Sequence, residues 1–369
     1  MKIATSKIAL LGAITKVLPA VSTRSNLPAL EGFLLKTHDH GLIITAYDLE
    51  LGIESSFDCE VYKSGAIILP ARIFADIVRK LPDDIISLSV DTALKATISC
   101  GNTVYDIMGL PAVDFPEMPK VAGEKTIIME QNKLKSIISE TVFATSTNEN
   151  KPIQTGSLFD IEDNMLSVVA VDGFRLALRR ESIQNNNENK TFNFVVPQNT
   201  QKEVERMLAD CEDPVQLIIS KKHIIFLLDE TKIVSRLLEG DFLNYRGVIP
   251  KEHTISLSVD TKALQRSIEL VSLVSDEKIK SPIRIVIEQD ILRLSCSAAQ
   301  NQSYDECPVT GDGQGIEIGF NYRFLLDAVK SIVDEQFVMQ LSSPLSPCLF
   351  VPEQGDSYLY LVLPVRLKA

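Results

Sequence analysis

One stretch of this chain occurs three times at intervals of about 125 residues, and that recurrence narrows the possible folds more than any single motif does. The copies are "LPARIFADIVRKLPDDIISLSV" (69–90), "VPQNTQKEVERMLADCEDPVQLII" (196–219) and "FNYRFLLDAVKSIVDEQFVMQLSS" (320–343). Each has a polar or proline start, an amphipathic helix, an acidic loop and a strand. Setting Arg72 over Asn199 and Arg323 also sets Asp76 over Glu203 and Asp327.

The flanking segments fall into the same register. "GLIITAYDLELGIESS", "NMLSVVAVDGFRLALRR" and "DILRLSCSAAQNQSYDEC" read as one strand-turn-strand unit, with Asp48, Asp172 and Ala298 equivalent. "FPEMP" and "NYRGVIP" close the first two copies, and a strand and a second helix follow each. Three domains are expected, at 1–122, 123–250 and 251–369. Each should hold two helices packed on antiparallel sheets, an α+β class. The N-terminus, "MKIATSKIALLGAITKVLPA", reads as an amphipathic helix rather than a signal peptide, because Lys16 interrupts the apolar run and no small-residue cleavage site follows.

Composition excludes several classes. The 369 residues have no Trp and four His, which limits imidazole chemistry. Six scattered cysteines form no C-x-x-C pair, against a zinc site or disulfide scaffold and in keeping with a reducing cytoplasm. No apolar run approaches the roughly 20 residues that span a bilayer. No Gly-rich phosphate loop, G-x-S-x-G or H-E-x-x-H occurs, and "TGDGQG" (310–315) reads as a hairpin loop. The acids of "DCED" and "PDD" follow helices, where solvated carboxylates are ordinary. His38 and His40 read as surface residues. No catalytic residue, cofactor or metal is expected. A hydrolase reading would rest on Asp48 or Asp172, but the third copy has Ala298 there. A turn-forming Asp-Gly explains Asp172 more simply; it leaves Arg175 unexplained.

The net charge of −12 argues against nucleic acid until its distribution is considered. The six expected helices and their ends carry thirteen basic residues, among them Arg72, Arg79, Lys80, Arg206 and Arg323, against seven acidic ones including Glu130 and Glu140. They therefore sum to +6, leaving −18 elsewhere. A basic face without base-reading groups binds any duplex weakly through its phosphates. Such a chain would be kept on DNA by topology. Twelve helices from two copies, about 10 Å each, would line a ring with a bore of about 28 Å.

On "RSNLPALEGFLLKT", "ILPARIFADIVRKLP", "LPAVDFPEMP", "VVAVDGFRLAL", "NYRGVIP", "GFNYRFLLDAV" and "YLVLPVRL", in that order, the chain resembles the bacterial sliding clamps, the β subunit of DNA polymerase III. The resemblance implies the DNA-clamp fold and a head-to-tail homodimeric ring of six similar domains, a non-catalytic processivity factor. It implies duplex DNA, the replicative polymerase, an ATP-driven clamp loader and repair proteins as partners, and no membrane. Partner peptides would enter a cleft between the second and third domains. Carried over residue by residue, that cleft comprises Gln154, Val171, Gly173, Phe174, Arg175, Leu176, Leu243, Gly247, Val248, Leu361, Val362, Leu363, Pro364, Val365, Arg366 and Leu367. Leu176, Leu363 and Val365 would floor an apolar groove, with Arg175 and Arg366 anchoring polar groups at its rim.

The chain departs from the family at Gln154 (usually leucine), Phe174 (often histidine), Leu243 (commonly proline) and Gly247 (commonly arginine). Lys368 and Ala369 extend past the usual end. All border the cleft, so an altered peptide preference is expected. For DNA, the resemblance points to Arg24, Arg72 and the loop residue Asn148. For the dimer, it pairs Tyr105 and Ile107 of one copy with Leu273 and Val274 of the next, Lys278 lying nearby. A monomeric peptide-binding scaffold, a divergent relative that never encircles DNA, is the alternative.

Overall fold

In a computed structural model of the chain, residues 1–119, 125–188, 190–275, 281–298, 300–312 and 315–367 are described. Six α-helices occur among them: α1 (Lys7–Val17), α2 (Ala71–Lys80), α3 (Gln131–Ser139), α4 (Gln198–Met207), α5 (Thr261–Ser272) and α6 (Tyr322–Lys330). The repeat register holds in three dimensions. Arg72, Asn199 and Arg323 each take the second position of α2, α4 and α6, and Asp76, Glu203 and Asp327 the sixth. The strands Lys2–Ser6, Lys125–Glu130 and Ile255–Asp260 lead directly into α1, α3 and α5. Ser6 and Asp260 cap α1 and α5 by accepting hydrogen bonds from the amides of Ala9 and Ala263.

Three sequence expectations are corrected. Residues 2–6 are strand rather than helix, because α1 starts only after the Ser6 cap. The amphipathic pattern of α2 puts Ile73, Phe74, Ile77, Val78 and Leu81 on its apolar face, but the face that the helix buries is Ala71, Phe74, Ala75, Ile77 and Val78. Ile73 lies off that stripe at helical spacing and is 56% exposed. Within the strict helix bounds the thirteen basic residues face only five acids, a net of +8. Glu130 closes a strand and Glu140 lies just past α3.

The three repeats pack as two compact units. The first comprises Met1–Gln131 and Arg206–Leu237. Its five-stranded antiparallel sheet ends on the strand Thr103–Met108. In its other sheet, Thr231–Arg236 from the second repeat pairs with Leu51–Asp58 from the first, with Thr231 opposite Ser55. The second unit comprises Asn132–Glu205 and Leu238–Ala369 and holds a twelve-stranded sheet. There Arg175–Ser182 from the second repeat pairs with Tyr358–Val362 from the third, Leu176 opposite Leu361. Backbone hydrogen bonding thus continues across each repeat boundary, and the middle repeat is shared between the units. The expected 122/123 boundary lies outside the described residues.

The second unit buries apolar side chains on both faces of the Arg175–Val362 seam. One cluster contains Leu158, Val169, Val171, Leu176, Leu178, Val195, Tyr245, Leu349 and Leu361. The larger, on the opposite face, contains Ala177, Tyr360 and Val362 together with residues of α5 and α6. Each fully buried Leu, Ile or Phe contributes about 1.5–3 kcal/mol.

Candidate functional site

The site is built on the turn that joins Met165–Val171 to Arg175–Ser182. Gly173 has φ +93° and a Cβ there would meet nothing within 4 Å, so glycine is required by the backbone and not by crowding. Asp172 forms an Asx turn: its Oδ1 accepts hydrogen bonds from the amides of Phe174 (2.8 Å) and Arg175 (3.0 Å). In the first repeat Asp48 Oδ1 likewise accepts from Glu50 (2.9 Å) and Leu51 (2.7 Å). Both aspartates are turn formers, as the duplicated pattern suggested.

Arg175 corrects another expectation. It does not stand at the groove rim awaiting a peptide. Alternation along the strand sends Leu176 and Leu178 into one cluster and turns Arg175, Ala177 and Arg179 to the opposite face. The Arg175 side chain is only 11% exposed. Its Nε donates to Asp172 Oδ2 at 3.0 Å, its Nη2 to the Phe143 carbonyl at 2.8 Å, and its Nη1 is ion-paired with Asp327 of α6. The guanidinium also lies over the Phe324 ring, 4.6 Å from its centroid, and over Phe143 at 5.3 Å. Val362 is corrected for the same reason: it is fully buried on the helix face, whereas its neighbour Leu361 belongs to the groove-side cluster.

What remains at the surface is, apart from Arg366, apolar or glycine. Phe174 is 60% exposed, one ring face stacked on Phe324 at 5.8 Å and 20°. Leu363, Val365, Leu243 and Val248 are exposed as well, as are Gly173, Gly247 and Arg366. Pro364, Leu367 and Gln154 are half-buried, while Val171, Leu176 and Leu361 lie beneath the surface. The segment 363–367 is tied down at two points: Leu363 N donates to Phe174 O at 2.9 Å and Val365 N to Gly319 O at 2.8 Å. Any Cβ on Gly319 would stand 2.7 Å from Leu367 Cδ2, so Leu367 packs on that glycine.

The segment 243–249 is anchored by polar groups. Tyr245 donates its hydroxyl proton to Asp160 Oδ2 at 2.9 Å, and Arg246 Nη2 bridges Asp160 (3.0 Å) and Glu162 (2.8 Å). Burial, followed by the bond to Asp160, pushes the Tyr245 hydroxyl up to about 12. Phe242 and Ile249, absent from the sequence-level set, pack on the groove-side cluster beside Tyr245. So does Ile153, whereas its neighbour Gln154 buries a side-chain oxygen that accepts no hydrogen bond from a described residue.

The remaining candidates are distributed as follows. Arg24, Arg72, Arg79, Lys80, Asn148, Arg206 and Arg323 are all exposed. Arg79 shares its charge with Asp76 at 2.6 Å. Tyr105 is exposed and Ile107 half-buried on the edge strand Thr103–Met108, where Val104 and Met108 are exposed too. Leu273 is 81% exposed at the end of α5. Val274 packs partly against its own core. Lys278, Lys368 and Ala369 lie outside the described residues. Among the described residues no three His, Cys, Asp or Glu side chains are grouped to hold a metal, and no helix is long and apolar enough to cross a membrane.

Comparison with known proteins gives a consistent result. Residues 1–119, 128–244 and 246–366 match the N-terminal, central and C-terminal domains of the DNA polymerase III beta subunit. The beta sliding clamp of Staphylococcus aureus is 29% identical over 363 residues, 96% of each chain. Among solved structures, a putative DNA polymerase III beta subunit from Eubacterium rectale is 32% identical with a TM-score of 0.94. The sliding clamp of Bacillus subtilis is 27% identical with a TM-score of 0.96, and that of Pseudomonas aeruginosa bound to griselimycin 29% with 0.94. All three cover 100% of both chains. The chain belongs to the DNA polymerase III beta subunit family, the bacterial beta sliding clamps.

Proposed function

We propose that two copies of this chain close head to tail into a ring around duplex DNA, and that the groove beside Phe174 and Leu363 docks short peptide segments of its partners. As a member of its family the chain is a non-catalytic processivity clamp. The observation that carries the ring reading is the segregation of charge: six helices at +8 within a chain of −12. Phosphate contact of that kind is independent of sequence and weak enough to slide. Arg24, Arg72, Arg79, Lys80, Asn148, Arg206 and Arg323 are the proposed DNA-facing residues, the charge of Arg79 being offset by Asp76.

The proposed subunit contact is the edge strand Thr103–Met108 of one copy against Leu273 and its surroundings in the other. An exposed edge bearing Val104, Tyr105 and Met108 invites a neighbouring strand unless something covers it. The three domains are assigned to 1–122, 123–250 and 251–369, and the working compartment is the cytoplasm. Partners in the groove are the replicative polymerase, the clamp loader and repair proteins. Its apolar exposed residues and tethered walls suit an extended peptide with apolar side chains. The Caulobacter crescentus clamp binds PEG at its putative beta-motif tethering region. A monomeric scaffold is not favoured, because all three domain families match in order.

The test is retention after loading by a clamp loader with ATP, comparing nicked circles with the same DNA linearised. Retention on circles with loss from linear ends supports topological binding. Equal release from both forms would overturn the ring.

A further inference from the structure

We infer that the junction of the first two repeats carries a second docking site, formed by Lys221, Lys222, His223 and Arg236 beside Leu49, which takes a short acidic peptide bearing an apolar side chain. The inference uses the groove reading above only as the template for its frame.

The two repeat junctions are built alike. The Asx turn at Asp48 repeats the one at Asp172. Ser235 stands opposite Leu51 as Val362 stands opposite Arg175. One residue further on, Arg236 N donates to Glu50 O and Leu363 N to Phe174 O, both at 2.9 Å. The same strand end is therefore tied to the same turn. The side chains differ: Arg236 and Glu50 are exposed where the groove shows Leu363 and Phe174. A charged surface has replaced an apolar one on an equivalent frame.

That surface is mainly basic. His223 lies opposite Arg236 on the neighbouring strand, and Lys221 and Lys222 are exposed at the hairpin tip beside it. Burial, then Arg236, then Lys222 hold the His223 pKa below its ordinary 6.5, so these cations act on one ring. Against them stand Glu50 and Asp48, the latter with its Oδ1 taken up by the turn. Outside its helices the chain is strongly acidic, which sets this tip apart from the rest of the surface.

The tip is also held in shape. Ser220 Oγ accepts the His223 amide at 3.2 Å, Ser220 N donates to the His223 carbonyl at 2.9 Å, and Leu237 N donates to the Lys222 carbonyl at 2.8 Å. Leu49, 49% exposed on the turn, supplies an apolar contact. Ordered cations beside an exposed leucine match a peptide in which carboxylates flank an apolar residue. A duplex would offer phosphates to the cations but nothing to Leu49.

The probe is fluorescein-labelled Glu-Glu-Leu-Glu-Glu-Phe, followed by fluorescence anisotropy with the full-length protein at low salt. Wild type should bind it, and should bind a version with glutamines for the glutamates about tenfold more weakly. Lys221→Glu/Arg236→Glu should lose about tenfold, and Lys221→Glu alone, in an exposed turn, about threefold. Leu363→Ser should bind the acidic peptide as wild type does. A generic clamp-binding peptide should show the reverse, weakened by Leu363→Ser and unaffected by the double variant; failure of that half counts against the groove alone. No binding to wild type, or equal binding of the glutamine peptide, would overturn the inference. So would loss in Leu363→Ser with retention in the double variant, which puts the acidic peptide in the groove. If linear duplex DNA displaces the peptide and the double variant loses both ligands, the tip is a phosphate surface and the peptide site falls. Melting temperatures within about 2 °C of wild type separate lost binding from unfolding.

Discussion

Arg175 and Arg179 leave the same face of one strand with Ala177 between them, and each guanidinium joins an acid close in sequence to one far away. Arg175 joins Asp172 to Asp327. Arg179 joins Glu140 (2.8 Å) to Glu181 (2.9 Å) and donates to the Ser357 carbonyl at 3.1 Å. The two clusters lie along the pairing of Arg175–Ser182 with Tyr358–Val362, where the second and third repeats join. Ion pairs add little to a seam like this compared with the apolar clusters on its two faces, but removing one partner is costly.

Arg179→Met tests that asymmetry. The substitution leaves Glu140, 9% exposed, without its cation and should destabilise the protein by about 3 kcal/mol at neutral pH. Burial already raises the Glu140 pKa above its ordinary 4.5, opposed by the Ser136 hydroxyl and Arg179. Without Arg179 it rises further, so the folded state keeps a proton the unfolded chain has released. Stability is therefore lost as pH climbs from about 4.5 through the raised value, and the variant should be closest to wild type in acid. Urea unfolding at pH 5 and pH 7.5, with Arg179→Met/Glu140→Gln recovering part of the loss, checks this. A pH-independent deficit would refute it.

The repeat alignment sets Leu49 against Gly173, and both have positive φ, 78° and 93°. Leucine there bears backbone strain of about 1–2 kcal/mol, partly offset by the chain entropy that glycine would add. Leu49→Gly should raise stability by about 0.5 kcal/mol, although it removes a large side chain. Gly173→Ala should lower it by about 1 kcal/mol, through backbone alone, since no atom lies within 4 Å of the new Cβ. Thermal melts of both variants decide the matter; a destabilised Leu49→Gly would show that the Leu49 side chain packs for a purpose.

Gln154→Leu removes a buried oxygen that has no donor among the described residues. An unsatisfied acceptor costs about 1–3 kcal/mol, so the variant should be more stable by about 1 kcal/mol. It should also bind an extended apolar peptide more tightly, and titrations of a generic clamp-binding peptide against both proteins measure that. Equal affinities would dispose of the idea that Gln154 alters peptide preference.

Much of this architecture was legible in the residues. Arg72, Asn199 and Arg323 share the second position of their helices, and one Asx turn recurs at Asp48 and Asp172, so repeat and turn could be read directly. The pairing of Leu176 with Leu361 could not, because strands 185 residues apart carry no periodic signal for their neighbour. It is also why three repeats pack as two units. The side taken by Arg175 is written in the strand's alternation. "RLALR" alternates strictly, so its arginines had to leave the face that its leucines bury. Partners for those arginines were hidden, since Asp327 and Glu140 become adjacent to them only in the fold.

Leu273 offers the sharpest test of ring closure. It is 81% exposed at the C-terminal end of α5, so its replacement should cost the folded subunit little. Val274 is a poorer choice, because it packs partly on its own core and its loss would confuse folding with association. In a head-to-tail ring of two, one substitution strikes both contacts. If burying each leucine contributes about 2 kcal/mol, Leu273→Ser weakens the dimer by about 4 kcal/mol, roughly a thousandfold. Sedimentation velocity should then show monomer at concentrations where wild type is dimeric, with melting temperature unchanged within about 2 °C. The same variant should slip from nicked circles as fast as from linear DNA. A dimer that survives the substitution would place the subunit contact elsewhere, and the exposed edge Thr103–Met108 would need another partner.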